Sequence, residues 1–443
     1  MQIQLSEHFT YKKLLRFVLP SIFMMIFTSV YSVVDGLFIS NYVGKTPFAA
    51  LNIIWPFIMI LGTLGFMVGS GGSAVVAKTL GEGRREKASE YFTMLILATV
   101  AFGLIIFTLG QLFLRPISIA LGAKGEMVDN CVLYGRIVIT AMPFFMLQNV
   151  FQSFMIAAER PKTGLGITVA AGITNMVLDF LFIAVFKWGI AGAALATSLG
   201  QLVGGVAPLV YFLTHKDGPL HFCRTRFYGT VLIKTCLNGS SELMTNISAS
   251  VVSMVYNFQL MRLAGEDGVA AYGVVMYVSF IFAAIFIGYS IGCAPIVSFH
   301  YGAQGEEELK NLFRKSLCLL TVGGIAMAAG AAALSGPLSR VFVGYDEGLF
   351  NMTVGGMRIF SLSFLVCGFN IFGSAFFTAL NNGLVSAVIS FMRTFVFQIL
   401  VVLTLPLVLE LDGIWWGITL AELLAFGVTL FYFVTQRRRY HYA

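Results

Sequence analysis

Five ionisable residues stand inside long apolar stretches of this chain: Asp35, Asp179, Glu242, Arg393 and Glu422. A charge at the centre of a bilayer costs about 2.5–3.5 kcal/mol on insertion scales, so each is a functional candidate by default. Asn175 precedes Asp179 by one helical turn and shares its helix face. A carboxylate pair ringed by amide and hydroxyl oxygens has two uses. It takes up a proton, or it holds a sodium ion through hard oxygen ligands. The plainer reading is a structural pair satisfied by its neighbours.

The stretches that carry these residues are long enough to cross a membrane. Of 443 residues, 58% are hydrophobic and only 11% charged, and the mean hydropathy is +0.86. A soluble protein carries about 25% charge, so most of this exterior must face lipid. Crossing takes about 20 apolar residues. Windows of that length place twelve spans near 15–42, 52–78, 90–114, 131–157, 163–186, 190–214, 232–262, 269–298, 312–335, 352–380, 384–409 and 413–435. The first is too long for the apolar core of a signal peptide. Spans five and six, separated by Lys187–Gly189, form a tight hairpin. With the N-terminus inside, 19 of the 28 lysines and arginines fall on cytoplasmic segments, among them Lys216. The positive-inside rule therefore puts both termini in the cytoplasm of a multi-pass inner-membrane protein. The same rule accounts for the net charge of +7, which is no sign of nucleic-acid binding.

Depth brings the candidates together. Counted from Arg16 and Lys162, Asp35 and Asp179 both lie roughly 25–29 Å from the cytoplasmic edge. Tyr134 and Thr197, near the outer starts of spans four and six, reach the same level. Glu242 lies roughly 12 Å in from Lys234 and is placed to face a central substrate cavity and attract cations. Gln148, Asn149, Gln152 and Asn370 are the further polar candidates for that cavity. Arg393 and Glu422 meet near mid-membrane as an internal ion pair. Pro20 in span one is a candidate hinge, since a proline frees a backbone carbonyl and lets a helix bend.

The chain repeats itself at an offset of 221 residues. Gly44 pairs with Gly265, Ala49 and Ala50 with Ala270 and Ala271, and Gly71 with Gly292. Gly81 pairs with Gly302, Pro116 with Pro337, Gly135 with Gly356, and Asn149 with Asn370. An offset of six spans gives two halves of equal orientation, about 1–220 and 221–443, with a substrate path between them. The fold class that follows is an all-α membrane protein of two parallel six-helix repeats around a central cavity. At this offset Asp35 maps to Tyr256, Asn175 to Val396 and Asp179 to Leu400. Ion coupling should therefore belong to the first half alone.

Other chemistries find no support. Gly44–Thr46 lacks the glycine that a phosphate-binding loop needs at Ile39. The five histidines fall at or outside span ends, and the six cysteines have no metal-binding spacing. Neither an enzyme activity nor a cofactor is expected.

Pro20 and Asp35 in span one, Asn175 and Asp179 in span five, and the glycine-rich 65–83 segment with its Leu-Gly-Glu-Gly ending carry a resemblance. So do the Ala-Glu-Arg-Pro turn at 158–161 and the Tyr-Gly-Ala-Gln-Gly run at 301–305. Together they resemble the multidrug and toxin extrusion (MATE) family over nearly the whole chain, nearest its MepA and DinF-like branch. The resemblance implies that Asp35 and Asp179 carry the coupling proton or sodium ion, assisted by Asn175, Tyr134 and Thr197. It implies a monomeric antiporter for amphipathic organic cations. The NorM-like branch also uses an aspartate in span ten, which this sequence lacks. The alternative within the same architecture is a flippase for lipid-linked precursors, which calls for basic residues in the cavity.

Overall fold

The computed structural model describes residues 3–43, 45–215, 218–344 and 346–443. Gly44, Lys216 and the side chain of Ala49, used above in the repeat and the charge count, lie outside them. In lipid each backbone polar group must be satisfied within its own segment, which leaves helices for an apolar chain without a barrel pattern. Every regular element among the described residues is helical.

The first half has six segments. α1 (Tyr11–Tyr42), α2 (Lys45–Gly81) and α3 (Arg85–Ala120) are continuous. α4 is a bent pair, Glu126–Thr140 and Met142–Ala157, turned by 53°. α5 (Pro161–Asp179) runs on into a wide π-helical turn, Phe180–Val185, and α6 spans Gly189–Thr214. In the second half, a short helix, Gly229–Asn238, leads into α7 (240–264), which breaks at Gly265 (φ 64°) before α8 (Asp267–Gly302). α9 (Glu306–Val343) and the bent pair α10 (Glu347–Ser361 and Phe364–Ala379, 54°) follow. α11 (Gly383–Thr404) contains a π-helical turn at Met392–Val396, and α12 is Pro406–Thr435, broken by a kink at Glu410 (φ 50°).

Nine helices among the described residues are long and apolar enough to cross a membrane, or eleven with the two bent pairs. The remaining segment, α7, carries Glu242, Asn246, Asn257, Gln259 and Arg262. At about 1.5 Å per residue it still has the length to cross. It is the polar member of the set.

The helices recur with the sequence repeat. α3 and α9 start 221 residues apart, as do α4 and α10. Gly83 and Gln304 take positive φ at the same spacing, as do Gly189 and Glu410. The bend of α10 holds one residue more than that of α4, so α5 and its counterpart α11 start 222 apart. In this register Asn370 corresponds to Gln148 rather than Asn149. Asp179 falls opposite Val401 and Asn175 opposite Phe397, still apolar partners.

The two halves meet tightly at the end that carries both termini. A Cβ on Gly81 would overlap the Phe299 carbonyl oxygen, and one on Gly302 would overlap that of Lys78. The second contact is the first moved by 221 residues, so α2 and α8 cross through a symmetric pair of small residues. Deeper in, Gly71 lies against Thr235 and Gly239, while Gly292 lies against Val18 and Ser21. The N-terminal segment straps this end. The Leu5 N–H donates to Glu159 of the first half (2.7 Å) and the Phe9 N–H to Glu308 of the second (2.9 Å).

Candidate functional site

The carboxylates Asp35 and Asp179 come together in the first half. Each carboxyl is the other's charged neighbour. Asp179 is fully buried, and Asn175, one turn earlier on α5, is buried with it. Helix approach explains the meeting. A Cβ on Gly172 of α5 would collide with Phe27 and lie 3.0 Å from the Tyr31 ring, so glycine lets α1 pack close. Gly200 does the same for α6 against Asn175, where a Cβ would sit 3.0 Å from that of Asn175. α4 adds Tyr134, whose hydroxyl faces Thr197 of α6 with both carboxyls nearby. Ser198 fixes α6 to α4 by donating to the Ile137 carbonyl (3.3 Å).

Five residues from four helices thus converge about two turns inside the end opposite the termini. Asp35 Oδ1, both Asp179 oxygens, Asn175 Oδ1, Tyr134 Oη and Thr197 Oγ1 are buried and complete no well-formed hydrogen bond among the described residues. Two neighbouring carboxylates in a low-dielectric interior cannot both hold their charge uncompensated. A proton between them neutralises the pair. So does a small hard cation, for which carboxylate, amide and hydroxyl oxygens are fitting donors. No cluster of three or more histidine, cysteine or acidic residues is placed to hold a transition metal among the described residues.

Two features of the site escaped the sequence. The π-helical turn begins at Phe180, immediately after Asp179, and a second holds Arg393 in α11. Such turns widen a helix locally and recur at functional positions. Gln201 is buried with its Oε1 unpartnered, one turn past Thr197. Its i+4 spacing from Thr197 was the available signal.

The cavity candidates divide. Glu242 is half-buried on the first turn of α7, its N–H donating to the Gly239 carbonyl (3.1 Å). It stands three residues past the Gly71–Gly239 contact. Asn149 is buried on α4 with its Nδ2 unpartnered. Gln148 and Gln152 differ from expectation. They line a pocket of about 10 Å³ inside the first half, with Phe151, Met155, Thr168 and Pro208. That is room for one water, far too small for an organic cation. Asn370 departs further from a cavity role. It is fully buried, its Nδ2 donating to Glu422 Oε2 (2.8 Å) and to the Glu422 carbonyl (2.9 Å). Thr429 donates to its Oδ1 (2.9 Å). Both hydrogen-bonding ends of the amide are spent within the second half.

Arg393 and Glu422 form the internal ion pair, with Nε 2.9 and 3.0 Å from the two carboxylate oxygens. Pro20 is buried within α1, which passes through it as an uninterrupted helix, so this conformation contains no break there.

The comparisons with known proteins agree with this architecture. A family model described as MatE matches residues 20–181 and 243–404, once in each half. "Multidrug export protein MepA" of Staphylococcus saprophyticus is 21% identical over 413 residues, covering 93% of this chain and 91% of that protein. A structure described as the outward-facing conformation of a multidrug resistance MATE family transporter superposes with a TM-score of 0.93. It is 20% identical, and the match covers 98% of each chain. A MATE structure in a "straight conformation" gives the same TM-score at 19% identity, again over 98% of each chain.

Proposed function

This chain belongs to the MatE family, and from that premise we propose that it is a secondary multidrug efflux transporter driven by cation entry at the Asp35–Asp179 pair. The reading rests above all on those two carboxyls, buried as neighbours among helices of the first half. The staphylococcal relatives, named as multidrug export proteins, support small-molecule substrates. Amphipathic organic cations suit Glu242, a half-buried acidic side chain near the Gly71–Gly239 contact of the two halves. The terminus-bearing end is cytoplasmic in this reading, by the distribution of basic residues. The protein then sits in the inner membrane and works as a monomer.

The cycle follows from charge. A proton or sodium ion arriving from outside neutralises the buried pair. Neutralisation removes the repulsion between α1 and α5 and changes the packing of α1, which also seals the cytoplasmic end through Val18 and Ser21. Substrate leaves outward, the ion leaves inward, and the halves rock between the two arrangements. Flipping of a lipid-linked pyrophosphate is not favoured, because the intramembrane Arg393 is committed to Glu422.

Dye efflux from proteoliposomes under a proton gradient alone, and then a sodium gradient alone, tests the proposal. One gradient should drive transport against the dye concentration. Transport driven by neither gradient would remove cation coupling from the account.

A further inference from the structure

Where the first turns of α1 and α9 meet, a groove of about 450 Å³ opens at the terminus-bearing end. Tyr11 of the first half and Glu307, Lys310, Asn311, Arg314 and Lys315 of the second line it. Three cations thus face one carboxylate across the seam between the halves. Lys315 is anchored, its Nζ donating to the Phe9 carbonyl (2.6 Å) and lying over the Tyr11 ring at 5.4 Å. Lys310 and Arg314 form neither an ion pair nor a hydrogen bond among the described residues, although Arg314 is exposed.

The repeat provides a control within the molecule. Positions 89, 90 and 93 of α3 are the counterparts of Lys310, Asn311 and Arg314. There the segment between the halves covers the helix. Cys223 N–H donates to Thr93 Oγ1 (3.2 Å), and Thr225 Oγ1 donates to the Glu90 carbonyl (2.8 Å). Tyr228 hydrogen-bonds Glu90 and accepts from Lys87 (2.9 Å). One seam is filled by the chain and its charges are paired; at the related seam the Phe9 carbonyl engages Asn311 and Lys315, while Lys310 and Arg314 stay unpaired among the described residues.

We propose that this groove binds the phosphate headgroup of an anionic phospholipid, which bridges the two halves at their closed end. The apolar surface below it favours a lipid over a free anion. On α9 the exposed face continues from Arg314 through Cys318 to Val322 and Ile325, and on α1 through Leu19 and Phe23. Those side chains offer a track for acyl chains directly under the headgroup. Basic pockets between helices at the membrane surface recognise such headgroups through charge and hydrogen bonds. The proposal stands on this geometry and not on the coupling mechanism.

The test uses the full-length protein in phosphatidylcholine nanodiscs with a trace of spin-labelled phosphatidylglycerol or spin-labelled phosphatidylcholine. The labelled phosphatidylglycerol should show an excess of motionally restricted signal. In Lys310→Gln/Arg314→Gln that selectivity should fall about fivefold or more, since one basic residue at the surface is worth roughly that factor. Arg437→Gln/Arg438→Gln, at the same membrane face but away from the groove, should keep it. If the groove variant melts below the parent, Arg314→Gln alone carries the comparison. Unchanged selectivity in the groove variant, or equal loss in the control, would overturn the proposal. Displacement of the label by millimolar inorganic phosphate would also overturn it, by assigning the groove to a soluble anion.

Discussion

At the scale of single residues, the account turns on where charge is left uncompensated. Arg393 and Glu422 neutralise each other, whereas Asp35 and Asp179 have no basic partner among the described residues. Glu242 stands apart from both sets. Glu242→Gln should raise KM for cationic dyes by about tenfold or more, since a charge-assisted contact is worth about 1.5–3 kcal/mol. KM for neutral substrates should stay unchanged. An equal change for both classes, measured in vesicles, would show that Glu242 shapes the cleft rather than reading charge. The carboxylates were legible in the sequence because an ionisable group in an apolar run is rare and costly. Gln148 and Asn370 were not. Polar amides satisfy buried neighbours as readily as they line cavities, and only packing tells which.

At the scale of elements, the ion pair and the glycine crossings make separate predictions. Arg393→Met or Glu422→Met alone should destabilise the protein by about 3–5 kcal/mol, by stranding a buried charge. The double replacement should recover most of that, as read by thermal unfolding in detergent. Additive losses would mean that the partners act independently. Gly81→Leu has no room against the Phe299 carbonyl. It should part α2 from α8 and make cysteines placed near Gly302 more reactive towards a thiol reagent added at the terminus-bearing face. Unaltered reactivity would show that the crossing relaxes elsewhere. Helix positions were readable from hydropathy, and the first-half hairpin at Lys187–Gly189 from its turn residues. The π-helical turns were not, because they leave no mark on apolar periodicity. Nor was the one-residue offset between the bends of α4 and α10, which changes which residues are true counterparts.

At the scale of the whole molecule, one architecture is used twice and equipped differently each time. The family model matches once in each half, and α3 and α4 keep a 221-residue spacing to α9 and α10. Twelve spans and the repeat follow from sequence because lipid forces helices and duplication preserves loop residues. The seal at the terminus-bearing end did not follow. It depends on backbone-to-backbone crossings that only coordinates reveal. With the halves held there, cation entry at the far end of the first half is the step that the account makes decisive. The most direct test reconstitutes the parent, Asp35→Asn and Asp179→Asn proteins at equal density and follows dye efflux under the driving gradient. Both variants should fold and melt like the parent yet lose efflux to the protein-free background; efflux at the parent rate in either would contradict the assignment of ion coupling to this pair.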